Sequence, residues 1–149
     1  MKIQHIITIA AMVALPLSAQ TPAAPASAPV EQAANFATPE QVVEALMAAL
    51  TRLCDTLDAC TPENAEQSAA TVRESIDTIV KVRKAAQSGV FNMDNLQKAV
   101  VANEAEMGKL DIRMQKSLEA FMERAGKDTT GRMKTVISPE ELDKAFSMD

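Results

Sequence analysis

Leu96, Val100, Asn103, Met107, Leu110, Met114, Leu118, Phe121 and Ala125 follow one another in steps of four and three. A repeat of that period puts one side chain per turn on a single face, which an amphipathic α-helix satisfies and a strand does not. The spacing is that of a coiled-coil-like seam, with an extra step of four at Leu118 that relaxes the supercoil. Asn92 is placed to cap this helix, Phe91 and Leu96 occupy the positions of a hydrophobic staple, and Gly126 follows its expected end near Ala125.

Two further segments carry the same period. Thr38-Pro39-Glu40-Gln41 has a capping hydroxyl, proline at the first helical position and a glutamine three residues after the cap, and Val42, Leu46, Leu50, Leu53 and Leu57 follow as one stripe. A second helix is expected from Thr61-Pro62 to Ser88-Gly89, with Ala69, Val72, Ile76, Ile79, Arg83 and Ala86 on its inner face. Ser138-Pro139-Glu140-Glu141 caps a short last helix through Phe146. The fold class is therefore all-α. Short connections between the three main segments predict an antiparallel up-down-up three-helix bundle with a long coiled-coil-like third helix and a short C-terminal helix.

The expected helices differ in length, so the first must leave part of the other two uncovered. The predicted groove is bordered by Ile79, Arg83 and Ala86 on one side and Leu96, Val100 and Asn103 on the other. It must be filled by the terminal helix, a second copy or a partner. Arg83 is expected to carry its head to water or to an acidic partner. Asn103, an amide at a stripe position, is of the kind that fixes register or oligomer state. Gly108 interrupts a helix at a cost of about 1 kcal/mol relative to alanine, a choice that suits close approach of another backbone.

Residues 1–19 read as a cleavable secretory signal: Lys2, the apolar run Ile6 to Leu15, the break at Pro16, and Leu17-Ser18-Ala19 before Gln20. Ten apolar residues span roughly 15 Å as helix, half of a hydrocarbon core about 30 Å thick, so no membrane span is expected after cleavage. Residues 20–37 read as a disordered Ala/Pro-rich spacer and 38–149 as the helical domain. The expected location is periplasmic or secreted.

Export would place Cys54 and Cys60 in an oxidising compartment. Six residues apart on a continuous helix they would point to different faces, but Pro62 and Thr61 suggest that the helix stops before Cys60. The pair then reads as a disulfide staple across Asp55 to Ala59, with free or intermolecular thiols and a redox-active pair as the alternatives.

Loss of residues 1–19 would also remove His5, the single histidine, and leave 14 basic residues (15 less Lys2) against 20 acidic ones, a net charge of −6. An acidic chain with no Trp, no Tyr and four Phe lacks the basic clusters and stacking platforms that nucleic-acid binding requires. A histidine-free chain has no haem ligand of the cytochrome type and no imidazole base, and carboxylates such as Glu119 and Glu123, four apart on a helix and away from the apolar stripe, are poorly placed for acid–base work. Thr130 to Glu141 has Arg132 and Lys134 where a calcium loop needs carboxylates. Met107, Met114 and Met122 could offer thioethers to copper(I), but they are better read as core filling where aromatic rings are scarce. No cofactor or metal is expected, and no enzyme activity.

Thr38-Pro39-Glu40-Gln41 resembles the Leu-Thr-x-x-Gln signature of small periplasmic helical stress chaperones, and Ile137-Ser138-Pro139-Glu140-Glu141 looks like a degenerate second copy. Position 37 is alanine where that signature has leucine. The resemblance implies a chaperone-like binder. The residues themselves lead first to a non-enzymatic protein acting through protein contacts, by self-association or by docking on an envelope component. A soft-metal or small-ligand carrier is the remaining reading.

Overall fold

The computed structural model describes residues 36–146, so the signal segment and all but the last two spacer residues lie outside the described residues. Within them the chain is all-helical: α1 (Pro39–Ala59), α2 (Ala65–Gln87), α3 (Met93–Ala102), α4 (Glu104–Lys127), a 3₁₀ turn (Met133–Thr135) and α5 (Pro139–Phe146).

α1 starts where its cap predicts. Thr38 Oγ1 accepts from the Gln41 amide at 3.3 Å, and Gln41 Oε1 accepts in return from the Ala37 amide at 2.8 Å. The reciprocal bond falls one residue earlier than in the standard box. It draws Ala37 into the fold, and Phe36 packs partly against the core, so the ordered unit includes the last two residues assigned to the spacer. The whole stripe Val42, Leu46, Leu50, Leu53 and Leu57 is buried.

α2 begins at Ala65 rather than at Thr61. Asn64 stitches the connection: its Oδ1 accepts from the Thr61 amide at 2.7 Å, and its Nδ2 donates to the Ala59 carbonyl at 3.0 Å. These bonds use the side chain that would otherwise cap α2, and they turn the chain within a few residues. α2 then returns along α1, and Arg52 and Glu74, each about three turns from the connection, meet at 2.9 Å. Gly89, at φ +76°, closes the helix in the left-handed conformation.

The long third helix is in fact two. Asn103, at φ −110° and ψ 8°, ends α3 and starts α4, and its Nδ2 donates to the Ala99 carbonyl at 2.8 Å. An asparagine that bonds a carbonyl one turn back competes with the backbone ladder, and here it coincides with the break. α3 accordingly buries Leu96 and Ala99, while α4 buries Met114, Leu118, Phe121 and Ala125. Asn92 does cap α3, accepting from the Asp94 and Asn95 amides at 2.9 and 3.3 Å, and both staple residues, Phe91 and Leu96, are in the core.

The closest packing runs through α1, which borders α2, α4 and α3; α2 and α4 make no comparable approach to each other. The arrangement thus departs from three mutually packed helices. α5 lies on the other side of α2, running in the same direction: Arg73 meets Glu141 at 3.1 Å, and Arg83 reaches the carbonyls of Lys144 and Ala145.

Candidate interaction surface

The predicted groove is not a single open feature. On the α2 side α5 occupies it. Ile79 is fully buried, and the Arg83 guanidinium, instead of reaching water or an acid, donates to the Lys144 and Ala145 carbonyls at 3.0 and 3.3 Å. Those carbonyls have no partner within an eight-residue helix, so Arg83 both satisfies them and meets the negative end of the α5 dipole. Glu141 fixes the other end of α5. Its Oε2 accepts from the Ser138 amide at 2.9 Å while Ser138 Oγ accepts from the Glu141 amide at 3.1 Å, the complete capping box. That backbone bond, with Arg73 adding to it, holds the Glu141 carboxyl below the usual carboxylate range. Ala86 remains half-buried. On the other side, Leu96 belongs to the core, Val100 is half-buried, and Asn103 is committed to the Ala99 carbonyl.

The end of α1 is held by a second guanidinium that no local sequence signal announces. Arg124 donates through Nη1 to the Cys60 carbonyl at 2.7 Å and through Nη2 to the Leu57 carbonyl at 2.5 Å. The last turn of α1 contains no basic residue of its own, so α4 supplies the charge that its dipole favours. Arg113, further up α4, pairs with Asp55 and, at 3.3 Å, with Asp58.

This ordered last turn corrects the disulfide expectation. α1 runs unbroken through Ala59, leaving Cys54 inside the helix and Cys60 as its cap, and both are buried free thiols. Two cysteines six residues apart on one helix are separated by about 9 Å along its axis, too far for a bond. Burial pushes the Cys54 thiol up, although Arg113 and a hydrogen bond with Ser117 pull it back in part. A raised thiol pKa leaves little thiolate for redox exchange at neutral pH.

α4 presents a second face, turned away from its core stripe, and nothing among the described residues covers it. Ala105 and Gly108 are exposed there, and Ile112 is 57% exposed. Val101, just before the break, is 60% exposed. Gly108 is not required by its own chain: a Cβ built on it meets nothing within 4 Å. Beside this face stands Asp111, only 7% exposed, whose Oδ1 has no hydrogen-bond partner. Burial alone raises its carboxyl, and no neighbouring cation offsets the effect.

No set of three or more His, Cys, Asp or Glu side chains converges among the described residues. Met114 and Met133 are buried in the core, Met107 packs partly against it, and Met122 is exposed, so the thioethers do not form one site. The loop after α4 is organised by Asp128, which accepts from the Thr130 and Met133 amides, both at 2.9 Å. An open cleft of about 510 Å³ beside the first turn of α2 has Glu63 and Glu66 among its walls together with Arg73 and Arg132, a mixture that favours neither sign of ligand. No helix of the described residues is long and apolar enough to cross a membrane.

Comparison with protein-family models, curated proteins and solved structures gives no match.

Proposed function

We propose that this is a non-enzymatic helical protein of an exported compartment that works through protein–protein contacts. The observation that carries the reading is the uncovered face of α4, where apolar Ile112 and an unneeded helical glycine lie together. Ala105, Gly108 and Ile112 are exposed on one side of α4 at the spacing with which a second helix packs. Partner contact is the role that uses these residues as they stand. The secretory character of residues 1–19 supports export to the periplasm or medium, which N-terminal sequencing of the protein recovered outside the cytoplasm tests directly: a start at Gln20 is expected, and an intact Met1 on a cytoplasmic protein would remove that part of the reading.

The docking role is tested with a photo-activated cross-linking residue placed at position 112 in cells, and at position 66 as a control. Defined adducts, identified by mass spectrometry, are expected from position 112 and not from position 66. Absence of adducts from position 112, with the protein folded and exported, would refute the assignment.

A further inference from the structure

We infer that the occupant of the α4 face is a second copy of this chain, the two α4 helices running parallel over Ala105, Gly108 and Ile112, with Lys116 of each copy meeting Asp111 of the other. The inference rests on the docking reading above and names its partner.

Ala105, Gly108 and Ile112 are spaced by three and four, the repeat with which one helix packs along another. In that repeat Glu104 and Asp111 flank the seam on one side, and Lys109 and Lys116 flank it on the other. When two such helices run parallel about a two-fold axis, each flank residue faces the residue five positions further along on the partner's opposite flank. Glu104 then meets the partner's Lys109, which also pairs with Glu106 of its own helix at 2.8 Å, and Asp111 meets the partner's Lys116. An antiparallel pair would set acidic flank against acidic flank and basic against basic, so the charges select the parallel arrangement.

Asp111 is the independent observation. Its Oδ1 is sealed by its own chain without a partner, a state that is costly for a carboxylate and that native proteins leave uncorrected only rarely, and a cation can offset that cost only at the other oxygen, Oδ2. Lys116 is exposed and makes no ion pair or hydrogen bond within the described residues. The two groups lie five residues apart on one helix, where they cannot face each other, but the second copy brings them together. Gly108 takes its meaning from the same geometry: at the point of closest approach the absence of a side chain lets two backbones come near, which nothing in its own chain demands.

The same register sets the limit of the contact. Gln115 stands at the next seam position after Ile112, and Glu119 at the one after that would meet its own copy, so the helices must diverge before it. So short a seam buries far less than the roughly 1,200 Å² of a stable interface, which makes the pairing weak and reversible and sets the micromolar to millimolar range as the one in which to look for it.

Sedimentation equilibrium of the purified protein across that concentration range is the test, with wild type beside Gly108→Arg and Lys116→Glu. Both substituted positions are exposed, and circular dichroism verifies the fold of each variant. The expected result is a reversible monomer–dimer equilibrium, weakened at least ten-fold by either substitution and weakened in wild type by 1 M salt. A wild-type protein that stays monomeric at millimolar concentration overturns the pairing, and so does a dimer indifferent to both substitutions. A monomer whose amide resonances near Gly108 shift when residues 20–35 are deleted would assign the face to the chain's own N-terminal stretch, and also overturns it. If pairing fails while cross-links from position 112 identify another protein, the docking reading stands and only its partner changes.

Discussion

α2 and α4 each carry an apolar face beyond the reach of α1, and the two faces have different fates. The α2 face is covered by α5, a helix of only eight residues that is fixed by a capping box at one end and by Arg83 at the other. The α4 face has an exposed isoleucine, a glycine, and a neighbouring carboxylate with nothing to bond. Where a chain satisfies helix ends and buried charges from within, the polar groups are all accounted for. Where it does not, the deficit itself points outward.

The comparison predicts unequal costs for the same substitution. Ile79→Ala, on the buried side of α2, should destabilise the protein by about 2 to 5 kcal/mol, because a fully buried isoleucine leaves a cavity that its neighbours fill only in part. Ile112→Ala should change stability by no more than about 0.5 kcal/mol under monomeric conditions. Chemical denaturation at low protein concentration measures both. Equal costs would break the distinction between a filled face and an open one.

Replacing Arg83 by Met keeps the aliphatic stem and removes the guanidinium. Loss of its two carbonyl bonds should cost about 1 to 3 kcal/mol and speed amide exchange over residues 139–146 without affecting α1. Exchange that rises uniformly across the molecule would mean that α5 is not separately held by this residue.

Gly108→Ala should stabilise the monomer by about 1 kcal/mol, since the added methyl meets open space and the helix gains propensity. A loss of stability would show that the glycine serves its own fold, and would remove one reason to look outside it.

Two carboxylates sharpen the contrast through pH. Asp111 has a folded pKa above its unfolded value, so its ionised form opposes folding; the opposition is complete above the raised value and disappears as the pH falls below the ordinary carboxylate range. Glu141 has a folded pKa below its unfolded value, so its contribution is complete above the ordinary range and is lost as the pH falls through the depressed value. Asp111→Asn should therefore stabilise the monomer at pH 7, by about 1 kcal/mol, and Glu141→Gln should destabilise it by a similar amount. Both differences should vanish in acid. Denaturation midpoints followed from pH 7 to pH 3 give the signs, and two effects of the same sign would contradict the assignment of either carboxylate.

Much of this architecture is written locally. Thr38, Asn92, Ser138 and Gly89 each act on backbone groups within a few residues, so their roles could be read from neighbouring letters. The inner stripes of α1 and α4 are legible for the same reason. The break at Asn103 was hidden because the apolar period continues through it: the sequence offers the amide at a stripe position, and only the fold shows that it turns back to Ala99. Asn64 stands close to Thr61-Pro62, a stronger apparent cap that conceals its role. Arg83 and Arg124 were beyond local reading altogether, since each serves the end of a helix more than sixty residues away. The disulfide expectation failed on a related point. Thr61 and Pro62 limit α1, but Arg124 secures its last turn through Ala59 and keeps the two cysteines apart. Of the predicted groove, Arg83 on α2 is bonded to α5, and the face that remains open is signalled in sequence by Gly108 alone.

The central claim is that α4, not α2, meets the outside, and a dilution series of amide resonances from isotopically labelled protein tests it most directly. The account predicts concentration-dependent shifts confined to residues 101–116, with those of α2 and α5 unchanged. Shifts centred on residues 73–87 and 139–146, or none at any concentration, would contradict it.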